Sequence, residues 1–136
     1  MPQQKNETVG FVIEGIPPSL NHAYGITTRG GKVRRFPSQK LKEWRELVAY
    51  TTTPQRIKSA KLYGVEILFY YKKYYKNGNL KKKDVFNMEK YCTDEVIKKL
   101  ETYDGLKIDD SQLDEGHVYR CDSPVEKTEV SFYAMV

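Results

Sequence analysis

Apolar residues recur along the chain with two different periods, and each period predicts one kind of element. A β-rich run at 8–16 and a stronger run at 61–71 predict two strands. Two closing strands are expected near 115–121 and 127–135, separated by the turn-forming pair Ser123-Pro124.

Two other segments carry apolar residues at helical spacing. Ser38 is a plausible N-cap for a helix that runs to about Tyr50, and a second helix is expected from about Asn87 to Leu100. Trp44, in the first apolar stripe, is expected to lie in the core. The two stripes are Leu41, Trp44, Leu47 and Val48, and then Met88, Tyr91, Cys92, Val96 and Leu100.

The remaining segments are expected to be irregular. Residues 21–31 read as a loop, residues 32–36 as a short extended arm, and residues 74–83 as a lysine-rich loop. The resulting order β, α, β, α, β, β predicts an α/β (α+β) fold: a single small domain, 1–136, with a mixed β-sheet and two main helices packed on it.

Composition excludes several classes of protein. Hydrophobic residues make up 39% of the chain and charged residues 30%, which is typical of a soluble globular protein. No apolar run approaches a membrane span and the first residues have no signal-peptide core, so we expect a cytoplasmic protein with no membrane contact. The two cysteines and two histidines have no zinc-binding spacing, which argues for free thiols and against a zinc enzyme.

The net charge of +5 hides an uneven distribution. Residues 1–83 contain 17 Lys and Arg against 5 Asp and Glu, whereas residues 84–136 contain 6 against 13. A basic surface favours nucleic acid through counterion release, and an acidic cluster would repel that ligand unless a cation were bound there. The alternative is that both are solvated faces that keep the protein soluble.

The most informative stretch of the chain runs from Lys81 to Gln112. Asp84 follows three lysines, and the pair Asp109-Asp110 follows about 25 residues later. Hard oxygen ligands of this kind suit Mg²⁺, and neighbouring lysines suit phosphates, as metal-assisted phosphodiester hydrolysis requires. On an extended segment only one of the two adjacent acids would face such a site.

Helical geometry adds a polar trio to this stretch. Asn87, Lys90 and Asp94 fall within about 60° of each other, opposite the apolar stripe. Lys90 is placed to reach a phosphate oxygen or to stabilise a leaving group. The alternative is structural: Asp84 caps a helix, Asp109-Asp110 forms a turn, and Lys90 is merely solvated.

Together these motifs resemble the RusA-like Holliday-junction resolvases, a family common in phages and prophages. That family carries an early P-P-S-x-N, a D-x-D-N-x-x-K that enters a helix, an Asp one turn later, and then D-D-x-Q. The matching segments here are Pro17-Pro18-Ser19-Leu20-Asn21, Asp84-Val85-Phe86-Asn87-Met88-Glu89-Lys90, Asp94 and Asp109-Asp110-Ser111-Gln112. The order and approximate spacing match over most of the chain.

The resemblance implies a homodimer that makes paired, symmetric, Mg²⁺- or Mn²⁺-dependent nicks across four-way DNA junctions in recombination and repair. It implies a bacterial host cell and possibly a phage or prophage gene. The family's metal acids map onto Asp84 and Asp110, with Asp109 beside them, and its essential lysine maps onto Lys90. Asn87 and Asp94 match supporting positions. Candidate contacts to DNA phosphates are Lys81, Lys82, Lys83, Arg34 and Arg35.

One position departs from the family pattern. Phe86 stands where the second acid of D-x-D is expected, so the site has one carboxylate fewer. Asp109, Asp94 or Glu89 could compensate, or the metal site could be weaker. Alternatively, the chain is a catalytically weak or inactive dimer that binds branched DNA, or an interaction module whose basic and acidic faces pair between subunits.

The tyrosine-rich stretch 70–75 also leaves two interpretations open. Its four tyrosines either stack on bases exposed at a junction centre or pack within a sheet or dimer contact, and packing is favoured. They are Tyr70, Tyr71, Tyr74 and Tyr75.

Overall fold

A four-stranded mixed sheet forms the centre of the molecule. The computed structural model describes residues 8–18, 24–29, 31–81 and 85–135, with only the backbone described for 24–29, 32–36 and 85–87. The strands of the sheet, in spatial order, are β1 (Thr8–Ile13), β8 (Lys127–Ala134), β5 (Tyr63–Tyr71) and β7 (Leu113–Asp122). β8 runs antiparallel to both neighbours, whereas β5 and β7 are parallel.

Two helices cover one face of this sheet. In β5, alternate residues from Tyr63 to Tyr71 are buried, and they share one core with the apolar stripes of both helices. The helices are α1 (Gln39–Thr51) and α2 (Val85–Val96). The other face of the sheet is more open, with Val12 52% and Tyr119 49% exposed.

Local contacts fix the helices in place. Ser38 caps α1 by accepting a hydrogen bond from the Leu41 amide at 3.3 Å. The buried Trp44 indole donates to the Tyr91 carbonyl of α2 at 3.2 Å, which ties the two helices together.

The connection from β5 to β7 shapes the rest of the domain. Because the two strands are parallel, the chain crosses back over the sheet through α2. After α2 come a 3₁₀ turn (Ile97–Lys99) and the short strand β6 (Leu100–Thr102), which pairs parallel with β4 (Gln55–Ile57). A second 3₁₀ turn, Asp110–Gln112, leads directly into β7.

The main predicted elements are confirmed: a small mixed α+β domain with a mixed sheet and two packed helices. The stripe residues expected on the inner side of the second helix are all buried. The first strand ends at Ile13 rather than at 16. The second helix starts at Val85, two residues early, and ends at Val96 rather than at Leu100, which is the first residue of β6. Within the described part of the chain, no helix is long and apolar enough to cross a membrane.

The loop prediction for 21–31 is wrong over most of its length. Residues Tyr24–Arg29 form β2, which pairs antiparallel with β3 (Lys32–Pro37), so the predicted extended arm is one strand of a hairpin. Arg29 pairs with Lys32, and Gly31 between them has φ +75°, which glycine adopts without strain. The run Ile26-Thr27-Thr28 was the overlooked strand signal, because β-branched residues favour strands.

Register in the sheet can be tested at Gly64, whose neighbour across the strands is Tyr133. A Cβ on Gly64 would lie 2.1 Å from Cζ of that ring, so Gly64→Ala must displace a buried side chain. We expect it to lower the free energy of unfolding by about 2 kcal/mol, measured by urea denaturation.

The matched control is Gly10→Ala in β1, on the other side of β8. There a Cβ would meet Ser131 Oγ at an ordinary 3.7 Å, so little loss is expected. Equal stabilities for the two variants would contradict the register.

Candidate functional site

An acidic cleft, open to solvent, lies where α2 passes the beginning of β7. The start of β7, the outer side of α2 and the 3₁₀ turn before β7 form its walls, with Val65 of β5 at its base. Its volume is about 390 Å³. Among the residues that the structure describes, five acidic residues and one lysine line it: Glu89, Lys90, Asp94, Asp110, Asp114 and Glu115.

Helix α2 presents two of the charged groups one turn apart. Lys90 Nζ lies 4.0 Å from Asp94 Oδ2, and the Lys90 side chain is 69% exposed. Such an exposed pair contributes little to stability, and both of its residues line the cleft. The buried inner stripe of the helix fixes which side faces outward.

A buried hydroxyl accompanies this pair. Thr93, between Lys90 and Asp94 in the sequence, lines the cleft and is only 8% exposed. Its Oγ1 has no hydrogen-bond partner among the residues that the structure describes. An unsatisfied hydroxyl at the wall of a polar cleft is an available donor or acceptor for a bound ligand or water.

The aspartate pair is split by a capping turn. Asp109 caps the 3₁₀ turn by accepting a hydrogen bond from the Ser111 amide at 3.2 Å, while Gln112 Oε1 accepts one from the Asp109 amide at 3.0 Å. This reciprocal capping turns the Asp109 side chain back toward its own backbone. Asp110, the first residue of the turn, lines the cleft.

The two carboxyl groups still interact. A hydrogen bond with Asp109, and then the negative charge of Asp109, raise the pKa of Asp110 above its usual range, and the charge of Asp94 adds to this effect. The same hydrogen bond, followed by the Ser111 amide, lowers the pKa of Asp109. Negative potential therefore accumulates at Asp110, where a cation would relieve it.

The start of β7 supplies the rest of the wall. A Cβ on Gly116 would lie 3.3 Å from Glu89 Oε1, so the missing side chain leaves room for that carboxylate against the strand. On the neighbouring residue, Glu115 Oε1 accepts a hydrogen bond from the Tyr133 hydroxyl. Burial and this carboxylate both raise the pKa of Tyr133 above its usual range, so its hydroxyl remains a donor.

The structure brings three of the predicted site residues together. Lys90, Asp94 and Asp110 line the cleft, although Asp110 is 16 or more residues away from the other two in sequence. Asp109 does not line it, and its predicted metal role stays a prediction. Asn87 lies on α2, one turn before Lys90, in the part for which only the backbone is described.

The remaining predicted residues lie elsewhere or outside the described part. Asp84, Lys82 and Lys83 lie outside the described residues, as does the 19–21 portion of the early motif. Lys81 lies at the foot of a hairpin that follows β5, where its amide donates to the Lys73 carbonyl at 2.7 Å. The two arginines of β3, Arg34 and Arg35, pair with Thr27 and Ile26 of β2.

The described carboxylates alone do not form a ready metal cage. Within the residues that the structure covers, no three His, Cys, Asp or Glu side chains are placed to hold one ion. Mg²⁺ needs only one or two carboxylates, because waters and substrate phosphate complete its shell. The donor set at Asp110, with its raised pKa and a free hydroxyl nearby, fits such a sparsely ligated ion.

Several lining residues were not singled out from the sequence. No sequence pattern predicts that three of them line the cleft, because their convergence depends on how α2 packs beside β7. They are Asp114, Glu115 and Thr93. Gly116 did carry a usable signal, since a glycine inside a strand often marks a close approach. From the sequence, Glu89 is predicted only as a substitute for the acid that Phe86 replaces.

No protein-family model matches the chain, and no curated protein matches it.

Proposed function

We propose that this protein is a metal-dependent endodeoxyribonuclease that resolves four-way DNA junctions by paired, symmetric nicks in recombination and repair. One observation carries the proposal: Lys90 and Asp94 from α2 and Asp110 from a distant turn line one acidic cleft. These positions are also the ones that match the motifs of RusA-like resolvases, in the same order along the chain.

Each residue has a distinct role in the proposed chemistry. Asp110, together with Asp84, would hold Mg²⁺ or Mn²⁺. When bound, such an ion supplies Lewis-acid polarisation of the phosphoryl group and an activated water. Lys90 stabilises negative charge that develops on the scissile phosphate, and Asp94, at 4.0 Å, orients the Lys90 amine toward it.

The charge of the cleft makes a bound cation necessary for this function. The five acidic residues that line it among the described residues outnumber its one lysine, and this excess of negative charge would repel a DNA strand. A divalent ion held by Asp110 would reverse the local potential where the phosphate must approach, so binding of metal and binding of DNA at the cleft would be coupled. The upstream groups Lys81, Lys82, Lys83, Arg34 and Arg35 would contact the backbone without reading sequence.

A second candidate is a dimer that binds branched DNA but cuts it poorly or not at all. Phe86 favours this candidate, because an apolar ring replaces an acid of the resembled motif. Phe86→Asp separates the two candidates: in a non-cutting protein it should create activity.

The proposed chemistry can be tested on a synthetic four-way junction with Mg²⁺ or Mn²⁺. We expect Asp110→Asn to lower the nicking rate at least about 100-fold, because a ligand worth roughly 3 kcal/mol is lost. Asp104→Asn, an exposed acid in a turn outside the cleft, is the matched control and should leave the rate unchanged.

Two results would decide against catalysis at this cleft. Equal product from wild type and Asp110→Asn would show that the assigned chemistry is wrong. Tight binding with no product in either metal, followed by activity in Phe86→Asp, would establish the second candidate instead.

We further propose that two copies associate through the open edge of β7. β7 is the last strand of the sheet, and its outer edge pairs with no strand in the described part of the chain. A ten-residue strand with an unpaired edge is a template for another strand. Pairing of two β7 strands around a two-fold axis would give one continuous sheet with both clefts on the same side.

Symmetry limits the possible registers of this strand pairing, and charge favours one of the two registers centred near the middle of β7. The N–H and C=O groups of successive residues point to alternate edges of a strand, and two residues that face each other in an antiparallel pair must both point toward the partner or both away from it. When a strand pairs with its own copy, one residue therefore lies opposite the same residue of the partner subunit. Centring on Val118 sets Asp114 opposite Asp122 of the partner subunit, which is repulsive. Centring on His117 sets Asp114 opposite Arg120 of the partner subunit, which is attractive and brings an arginine to the rim of each cleft.

Cysteine cross-linking tests this register in solution. In a Cys121→Ser background, His117→Cys would face its own counterpart with Cβ atoms about 5 Å apart, and we expect a disulfide-linked dimer on mild oxidation. Tyr119→Cys, two residues along the same face, is the control and should cross-link poorly. A monomeric protein in sedimentation, or equal cross-linking of both variants, would contradict the interface.

A further inference from the structure

A short hairpin projects from the end of β5. Residues Lys72–Lys81 fold back on themselves, with Tyr74 and Leu80 forming a β-bridge. The Tyr75 amide donates to the Asn79 carbonyl at 2.8 Å, and the Gly78 amide to the Tyr75 carbonyl at 2.9 Å. Gly78 has φ +85°, the left-handed conformation that a tight turn requires.

The hairpin is anchored at its base as well as closed at its tip. The Lys73 amide donates to Asp122 Oδ1 at 2.9 Å, at the end of β7, and the Ser123 amide donates to the Tyr71 carbonyl at 3.0 Å. The backbone of the hairpin is therefore hydrogen-bonded both to the rest of the fold and within its own turn.

Large apolar groups on this hairpin remain in water. Tyr74 is 45% exposed, Tyr75 56% and Leu80 48%. Tyr70 and Tyr71, in β5, differ from them: Tyr71 is buried and Tyr70 is half-buried. Within one chain, the expected packing is found for the two tyrosines in the strand and not for the two on the hairpin, for which packing in a dimer contact stays a prediction.

The same hairpin is strongly basic. It carries four lysines and no acid, and the two lysines that follow it extend the basic run. Lys73 Nζ lies 5.9 Å from the ring centroid of Tyr74, and Lys81 Nζ lies 5.7 Å from that of Tyr75. Aromatic faces flanked by cations are suited to nucleic acid, because bases stack on the rings while amines meet the backbone phosphates.

We propose that the hairpin Lys72–Lys81 is a second DNA-binding element, which stacks Tyr74 and Tyr75 against bases left unpaired at a branch point. In an intact duplex the base faces are occupied by neighbouring bases, so linear DNA offers only phosphates to this element. At a branch, exposed faces are available, and the hairpin then contributes selectivity for DNA structure. The inference rests on the proposed function for its substrate, yet it concerns binding alone.

The hairpin lies far enough from the cleft for the two elements to contact different parts of one DNA molecule. The cleft borders Val65 near the start of β5, whereas the hairpin follows Tyr71 at the other end of the strand. At about 3.3 Å per residue these two points are about 20 Å apart. The lysines therefore lie away from the acidic cleft, and one branched DNA molecule can contact both elements.

Binding measurements without catalysis test the proposal. Affinities for a four-way junction and for a linear duplex of equal length are compared in EDTA, so no cleavage occurs. We expect Tyr75→Ala and Tyr74→Ala each to weaken junction binding about tenfold while leaving duplex binding nearly unchanged. Tyr75→Phe should retain the preference, because it keeps the ring.

Two control variants separate stacking from charge and from folding. Lys76→Gln should weaken binding to both DNAs and reduce the slope of log affinity against log salt by about one. Tyr50→Ala, an 86% exposed tyrosine on α1, should change neither affinity. The proposal is overturned if the hairpin tyrosine variants leave the junction preference intact, or if they weaken binding to both DNAs equally.

The experiment also distinguishes this proposal from the nuclease proposal. Loss of junction preference in Tyr75→Ala supports the hairpin whether or not the wild type cuts DNA. An active nuclease whose junction preference is unaffected by Tyr74→Ala and Tyr75→Ala would retain the first proposal and reject the second.

Discussion

The parallel pairing of β5 with β7 is the constraint on which the candidate site depends. Two parallel strands begin at the same end of a sheet, so the chain must cross back through α2 before β7 can start. This crossover places the outer side of α2 beside the turn that precedes β7. Lys90 and Asp94 thereby meet Asp110, and an antiparallel β7 would have placed that turn at the opposite end of β5.

The same topology places acidic and basic side chains at opposite ends of β5. Carboxylates collect on α2, on the 3₁₀ turn and at the start of β7, and lysines collect on the hairpin beyond the end of β5. A uniform mixture of these charges would neutralise itself through salt bridges. Kept apart, the acidic end can gather a cation and the basic end can hold a phosphate backbone, and cutting a nucleic acid requires both.

Much of the fold could be predicted because periodicity reports which face of an element is buried. The run at 61–71, the stripe around Trp44 and the cap at Ser38 each depend on local sequence, and each is found in the structure. The hairpin of β2 and β3 is not predictable from its glycines, because glycines that suggest a loop also allow a tight turn between strands.

The site could be predicted only where local geometry determines it. The helical trio fixed the outward direction of Lys90 and Asp94, and the adjacent acids could not both face one site. In the structure the two aspartates diverge for a different reason: Asp109 caps a 3₁₀ turn, and the pair does not lie on a strand whose successive residues point to opposite faces. Thr93, Asp114 and Glu115 reach the cleft through tertiary packing, which leaves no pattern in the sequence.

The central claim is that Asp110 helps to hold a divalent cation in this cleft. Diffraction from Mn²⁺-soaked crystals, recorded where the anomalous signal of manganese is strong, locates that ion directly. We expect an anomalous peak in the cleft within coordination distance of an Asp110 carboxylate oxygen, and its loss in Asp110→Asn. Crystals in which manganese binds only away from Asp110, or not at all, would contradict it.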